Sequence, residues 1–451
     1  MNLKIENVGI IKHADVKLNG LTVIAGENDS GKSTVGKMMF SIVKAASRYE
    51  QDLNENKEHI ITRILEEIYL FARNTSVHST EKSSFEFRSA VRDKLYPLSF
   101  FREIKPFISA SQDVLLFETS EQSIDRIFDS KIQLIELAKS ESLKLRVLDK
   151  LEELKRAIFT QDDSTIRIGR ALKRVLFSEF HLEISPKGHS KTSTVQLTEG
   201  DDSTFTFLVN NNEISGLQID DLRQFEDVTF IETPIILQMY DMINSAITLL
   251  ELSENNKVDR INNFSKPKVA LHFKDLIEKL RNAQPLFIND SQKTILDTIS
   301  EIISGDFSFD ELEQDFSFTK KDGVKIKSVN TASGIKSFGI IQLLIQAGVI
   351  DPRSLLIIDE PETHLHPKWQ VEYARLLVEL VKIDIPVLVT SHSPYLIRAL
   401  KIFSDKENLG ERCTFYLSEK TAIGDSSEIH DVTNNLNRLF LKLAEPLKEL
   451  L

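Results

Sequence analysis

The stretch Gly26-Glu27-Asn28-Asp29-Ser30-Gly31-Lys32-Ser33-Thr34 constrains this chain more than any other. It fits the pattern G-x-x-x-x-G-K-[ST], in which a glycine-rich loop turns its backbone N–H groups onto a phosphate. Leu21 to Ala25 reads as a buried strand before it, and Val35 to Val43 reads as a helix after it. That order matters, because the helix N-terminus adds partial positive charge where the loop gathers the anion. In this setting Lys32 would hold the β- and γ-phosphates, and the Ser33 hydroxyl would ligate Mg²⁺.

The rest of the chain changes period in blocks. Residues 1–48 open with short strands, Leu3/Ile5, Val16/Leu18 and 21–25, broken by Gly9 and Asn19-Gly20, and then carry the loop and the first helix. Over 49–178, Ile60, Ile64, Ile68 and Phe71, and later Val147, Leu151, Leu154 and Ile158, each fall on one helical face, so a helical insertion is expected. Over 179–234 the period becomes two, in Phe180/Leu182/Ile184, Val195/Leu197 and Phe205/Phe207/Val209. These predict an antiparallel patch, and Val228 to Ile231 adds a strand that Pro234 stops. Residues 235–330 are expected as a second helical lobe that ends in a polar, Phe-dotted segment. From 331 to 434 helices and strands alternate, with apolar runs at 355–358 and 387–389 of the kind covered on both faces of a parallel sheet. Residues 435–451 read as a last helix carrying Leu436, Leu439, Leu443 and Leu447.

Two carboxylates and a histidine follow those apolar runs. Asp359 and Glu360 come directly after the first. If that strand neighbours the one before the phosphate loop, Asp359 reaches the metal, and Glu360 is placed to orient or deprotonate an attacking water. Thr390-Ser391-His392 ends the next run, where His392 could contact a γ-phosphate and sense it. Thr331-Ala332-Ser333-Gly334 precedes a further helix. Ser333 is a candidate cap and Gly334 leaves room for a phosphate, although capping alone would account for both. Two phosphate-ready helix ends and one phosphate loop suggest that two copies each lend the second end to the other's nucleotide. His364 and His366, beside Asp359, Glu360 and Glu362, could form a metal cluster or an ordinary turn. Arg167, Arg170, Lys173 and Arg174 share one side of a helix, either as a solvated face or as a contact for nucleic acid or an acidic partner.

Composition sets limits. A net charge of −12 argues against a generally adhesive nucleic-acid binder, leaving DNA or RNA to a local basic patch. The lone Cys413 excludes an internal disulfide framework. No apolar run reaches the roughly 18 residues of a membrane span, and the N-terminus lacks the apolar core of a signal peptide, so a cytoplasmic protein without membrane contact is expected.

These motifs together resemble the ABC-type ATPases, and within them the branch that includes the SMC and RecF proteins and the overcoming-lysogenization-defect (OLD) nucleases. Gly26 to Thr34 matches the Walker A loop, and Leu355 to Glu360 matches Walker B with its catalytic Glu. Ser333-Gly334-Ile335-Lys336 is similar to a degenerate signature motif, Thr363 to Pro367 occupies the D-loop, and His392 stands at the switch His. Glu360 to Pro367 looks especially like the OLD-like branch. The resemblance implies an α/β fold: an ABC-type P-loop ATPase head of mixed sheet plus antiparallel β patch, with the helical insertion and helical lobe appended. It implies ATP and Mg²⁺ as cofactors, with Lys32, Glu360 and His392 catalytic. Ser33, Asp359 and a Q-loop Gln, for which Gln238 is the nearest candidate, would stand on the metal side. Ser333, Gly334 and Lys336 would face the nucleotide of a partner copy in a head-to-tail dimer.

The sequence also departs from that pattern. Asp29 replaces a usual glycine, Ile335 stands where a second glycine is common, and Gln238 falls several residues late. The residues after His392 are too few for the Toprim domain of OLD nucleases, and there is no His-Asn-His cluster. The resemblance therefore implies a separate effector, a nuclease or toxin, as for the ATP-driven subunits of bacterial anti-phage systems. Two other classes fit the same motifs: a DNA repair or maintenance ATPase that clamps DNA, and a nucleotide-gated scaffold with little turnover.

Overall fold

The computed structural model describes residues 1–73, 81–110, 117–136, 141–159, 164–181, 183–186, 192–200, 202–210, 212–219, 225–248, 268–282, 288–421 and 426–445. They form two compact units, one of Met1–Ser47 with Ile168–Leu451 and one of Arg48–Arg167.

The first unit is built on strands. In chain order they are β1 (Asn2–Val8), β2 (Ile11–Lys17), β3 (Leu21–Gly26), β4 (Ser193–Glu199), β5 (Asp202–Asn210), β6 (Glu213–Ile219) and β7 (Asp227–Ile231). A short pair, β8 (Ile247–Thr248) and β9 (Lys268–Val269), precedes β10 (Gly305–Asp310), β11 (Asp315–Lys320) and β12 (Lys325–Lys327). The last are β13 (Ser354–Asp359), β14 (Val387–Ser391), β15 (Cys413–Lys420) and β16 (Ser427–Asp431). Among the described residues, eleven of these join one sheet in the order β6-β5-β4-β1-β2-β16-β15-β3-β14-β13-β7.

The two halves of that sheet differ in a way their sequences explain. From β15 through β3, β14 and β13 to β7 every pairing is parallel. All six residues of β3 are buried, as are the first five of β13 and all of β14. Continuous apolar runs are what a strand covered on both faces requires. From β6 to β2 the pairings are antiparallel. There the side chains alternate between buried and exposed, most cleanly in β1 and β4, because one face is left to solvent.

β14 stands between β3 and β13, so the strand before the phosphate loop and the strand before Asp359 are not neighbours. The expected adjacency does not hold: β14, short and apolar up to Thr390, separates the two strands, and Asp359 still reaches Ser33.

Helices cover the parallel half. Ser333–Gln346 is buried along almost its whole length, and Gly339 lets it lie on β10, since a Cβ there would meet the Phe307 ring at 2.1 Å. Pro367–Lys382 and Pro394–Lys406 each start with proline at the first helical position behind a side-chain cap, from His366 and Ser393 respectively. His366 thus has a capping task, its Nδ1 accepting the Lys368 N–H at 3.3 Å.

Three sequence readings change. Phe180 closes the helix Ser164–Phe180 instead of opening a strand, and Leu182 lies outside the described residues. The Phe-dotted segment is the antiparallel sheet β10-β11-β12, with Phe307 opposite Phe318 and Phe309 opposite Phe316. The last helix is Leu436–Leu443, and Leu447 lies outside the described residues.

The second unit is helical. It takes the later part of the helix Lys32–Arg73 and adds Glu81–Lys94, Pro97–Ala110, Phe117–Glu136 and Glu141–Phe159. Ile61, Ile64, Leu65, Ile68, Leu151 and Leu154 lie in one apolar core. Lys131 is buried within it, 2.8 Å from Glu103 and 4.9 Å from the centre of the Phe100 ring. Among the described residues no helix is long and apolar enough to cross a membrane.

Candidate active site

The phosphate loop hangs from the buried end of β3 and leads into the helix that begins at Lys32. Three of its residues have positive φ, Gly26 at 157°, Asp29 at 55° and Gly31 at 89°. Asp29 replaces a usual glycine, yet aspartate is among the few residues that tolerate this region, and its side chain stays in solvent. Gly31 is obligatory on space as well, because a Cβ would lie 2.6 Å from Ile11 Cγ1. The loop is held from behind by β15, where the Ser418 hydroxyl donates to the Ser30 carbonyl at 2.6 Å. Within the loop, the Ser30 hydroxyl and the Lys32 ammonium both donate to the Glu27 carbonyl at 2.7 Å.

Lys32 is nearly inaccessible, 3% exposed, and its Nζ lies 3.5 Å from Glu360 Oε1. The Ser33 hydroxyl donates to Asp359 Oδ1 at 3.0 Å, and the Thr390 hydroxyl donates to the same oxygen. Burial pushes the Asp359 carboxyl above the usual carboxylate range, and the charges of Glu360 and Glu232 add to this, against the two hydroxyl donors. A hydroxyl oxygen and a crowded carboxylate at this distance are the donor set that a small divalent cation prefers. The residues present therefore fit Mg²⁺.

Glu360 takes a backbone that a residue before proline rarely adopts, φ 43° and ψ 54°. Its N–H donates to the Thr390 carbonyl at 3.2 Å and to the Thr390 hydroxyl at 3.1 Å, which fixes that conformation. The carboxylate reaches His392, whose Nδ1 lies 3.5 Å from Glu360 Oε1. Glu360 also lines two cavities. One, about 260 Å³, is formed by the loop from Asn28 to Thr34 with Ile10. The other, about 290 Å³, lies between the ends of β7 and β13 and the residues Ser337, Thr363, His364 and Tyr373.

Lys32, Ser33, Asp359, Glu360 and His392 are thus brought together from three places in the chain. Gln238 is not among them. Its Oε1 accepts a hydrogen bond from Lys336 Nζ at 2.6 Å, and it lines neither cavity. Lys336 is buried against it, which lowers its pKa, so the two residues are engaged with each other within one chain. Ser333 begins its helix at the first position; the cap position is Ala332, with no side-chain hydrogen bond. Gly334 packs on the Trp369 ring, where a Cβ would come within 3.0 Å. Arg170 and Lys173 are exposed, and the Arg167 side chain lies outside the described residues.

Sequence reasoning missed Glu232, which follows β7 as Asp359 ends β13 and shares the second cavity with it. Glu232 Oε2 lies 3.4 Å from Lys37 Nζ and 3.0 Å from His272 Nε2, an ion-pair contact without an aligned hydrogen bond. Behind it, His272 Nδ1 meets buried Glu179 at 2.6 Å. Burial opposes ionisation of Glu232, but His272 and Lys37 outweigh it and hold the pKa at about 2. Burial also works against charge on His272, and the two glutamates overcome it and raise its pKa. The one available signal was Glu232 at the end of an apolar run, as Asp359 is.

The sequence profile of the AAA ATPase domain family matches residues 1–397. No curated protein matches the chain. Among solved structures, the chain is similar to the SMC head domain from Thermotoga maritima, at 12% identity and a TM-score of 0.36, covering 96% of this chain and 98% of that one. It is also similar to an Smc head domain with an extended coiled coil, from Pyrococcus furiosus and bound to the C-terminal domain of ScpA, at 10% identity, a TM-score of 0.38 and 98% of both chains. The functional reading rests on the family match and on the geometry of the site.

Proposed function

The chain belongs to the AAA ATPase domain family and is an ATP-binding P-loop ATPase, and on that premise we propose how its residues share the work. Lys32 turns from the Glu27 carbonyl to the β- and γ-phosphates. Ser33 and Asp359 hold Mg²⁺, which when bound neutralises charge on the phosphates. Glu360 orients the attacking water and draws its proton, its carboxylate steadied by the fixed backbone at Thr390. His392 contacts the γ-phosphate from the end of β14. The observation that carries this reading is the convergence of Lys32, Ser33, Asp359, Glu360 and His392 within a few ångströms.

The finer reading is an ABC-type, OLD-like subunit that closes head to tail with a second copy over two ATP molecules. The start of the helix Ser333–Gln346, which has no side-chain cap, offers free N–H groups to the partner's nucleotide. In the cell it would be the ATP-sensing subunit of a bacterial anti-phage complex that acts with a separate nuclease or toxin. The likeness of Glu360 to Pro367 to the OLD-like branch supports this. A DNA-clamping maintenance ATPase is the second reading, with a net charge of −12 against it except at a local patch.

Glu360→Gln is the test. Turnover is expected to fall by about 3–4 kcal/mol of transition-state stabilisation, roughly 10²- to 10³-fold, while ATP stays bound and the dimer is trapped. Turnover near that of the parent removes Glu360 from its role. Stimulation of turnover by DNA favours the clamp, and co-purification with the product of an adjacent gene favours the defence complex.

A further inference from the structure

We propose that Glu362 is a positioning residue for His392, setting the imidazole against Glu360 from behind the site. This rests on the reading of His392 as the γ-phosphate contact.

Glu362 comes two residues after Glu360, in the single turn Pro361–His364, and its side chain is only 2% exposed. One oxygen, Oε1, accepts three hydrogen bonds, from the Ser391 hydroxyl at 2.7 Å, the His392 N–H at 2.6 Å and the Ser393 N–H at 3.1 Å. All three donors lie at the end of β14 and the start of the helix Pro394–Lys406. A carboxylate placed there is offset by oriented amides and by the positive end of the helix. The same Oε1 lies 3.4 Å from His392 Nδ1, which is also 3.5 Å from Glu360 Oε1. Neither contact is an aligned hydrogen bond, and of the two ring tautomers the one with its N–H at Nδ1 would turn a donor towards both carboxylate oxygens. One imidazole nitrogen thus spans a locked, buried carboxylate and a reactive one in the cleft.

Stability alone is a poor account of this arrangement. The second oxygen, Oε2, is buried without a hydrogen-bond partner, and burying a carboxylate that is half satisfied costs stability. The loop also has neutral ties. Ser393 Oγ donates to Gln370 Oε1 at 2.6 Å, and Gln370 Nε2 donates to the Leu365 carbonyl at 2.9 Å. The charge of Glu362 adds what those ties lack, a fixed partner for Nδ1. Glu362 lines neither cavity, so it acts through His392.

The experiment compares Glu362→Gln, His392→Ala and the double variant in the full-length protein, reading kcat and, separately, the affinity for MgATP. Glu362→Gln keeps the shape and one acceptor oxygen. It is expected to bind MgATP within about twofold of the parent and to lose roughly 10- to 100-fold in kcat, as supporting partners of reacting groups do. The double variant is expected to be no slower than the slower single one, since residues that act as a unit are not additive. If Glu362→Gln turns over like the parent while His392→Ala is impaired, or if the losses multiply, Glu362 does not act through His392 and this proposal alone falls. If His392→Ala turns over like the parent, the reading of His392 falls and takes the proposal with it. A readout independent of folding in the variants is the ¹⁵N spectrum of the parent, with the His392 signals identified by their loss in His392→Ala. A neutral ring protonated at Nε2 alone overturns the proposal.

Discussion

The helical unit of residues 48–167 and the unit that carries the large sheet bury different things. The helical core is hydrocarbon from Ile61 to Ile158, and Lys131 is the one buried charge among its described residues. The sheet unit buries ionisable side chains in linked groups: Lys32 beside Glu360, Glu362 beneath His392, and Glu179 with His272 behind Glu232. Lys44, Asp227, Asp275 and Lys279 add a four-charge cluster that ties the helix after the phosphate loop to β7. Ion pairs taken out of water add little to stability and often subtract from it. They are concentrated in the unit that also carries the candidate site, whereas the helical unit is held by packing.

Substitutions can break or sharpen that contrast. The largest effect is expected from Lys32→Ala, which should weaken ATP binding by about 3–5 kcal/mol, the loss when a charge is left without its buried partner. A fluorescent-nucleotide titration checks it, and micromolar affinity retained in this variant would break the contrast. Next comes Leu154→Ala in the helical core, expected to destabilise its unit by about 2–5 kcal/mol through the cavity it leaves. Calorimetry should show an earlier transition, with ATP affinity unchanged; a parallel loss of affinity would mean that the units do not divide their tasks. The smallest effect is a pH dependence. Glu232 has its pKa depressed to about 2, so its ionic contacts contribute stability above the ordinary carboxylate value near 4.5, lost as pH falls towards 2. His272 has a raised pKa, so its share is present below about 6.5 and is lost as pH rises through the raised value. Glu232→Gln should therefore be less stable than the parent near neutral pH, with the gap closing as the pH drops from 4.5, followed by denaturant melts.

Much of the site was legible because each functional group follows within a few residues of a largely apolar run. The loop follows Leu21 to Ala25, Asp359 follows Leu355 to Ile358, and His392 follows Val387 to Val389. Such short runs are consistent with covered strands, and the residues after them emerge at the C-terminal ends of those strands. The order of the strands was not legible, since nothing local in 387–391 says that it will lie between 21–26 and 354–359. Gln238 misled for a related reason, because its partner Lys336 is remote in sequence. Glu179, His272 and Glu362 acquire meaning only through partners that folding delivers from far along the chain. The sheet β10-β11-β12 is a different case: Phe307/Phe309 and Phe316/Phe318 already alternate at a strand's period.

One feature of the sheet bears on how the protein is made. β3 is hydrogen-bonded to β14 on one side and to β15 on the other, and Ser418 closes over the loop. The ribosome produces the phosphate-binding segment well before the strands that clamp it, which emerge only after residue 387 and again after 413. Until then the segment has no walls, and a nascent chain cannot capture nucleotide. ATP can thus stabilise only chains synthesised through β15, and a premature stop before it yields a product that nucleotide cannot rescue.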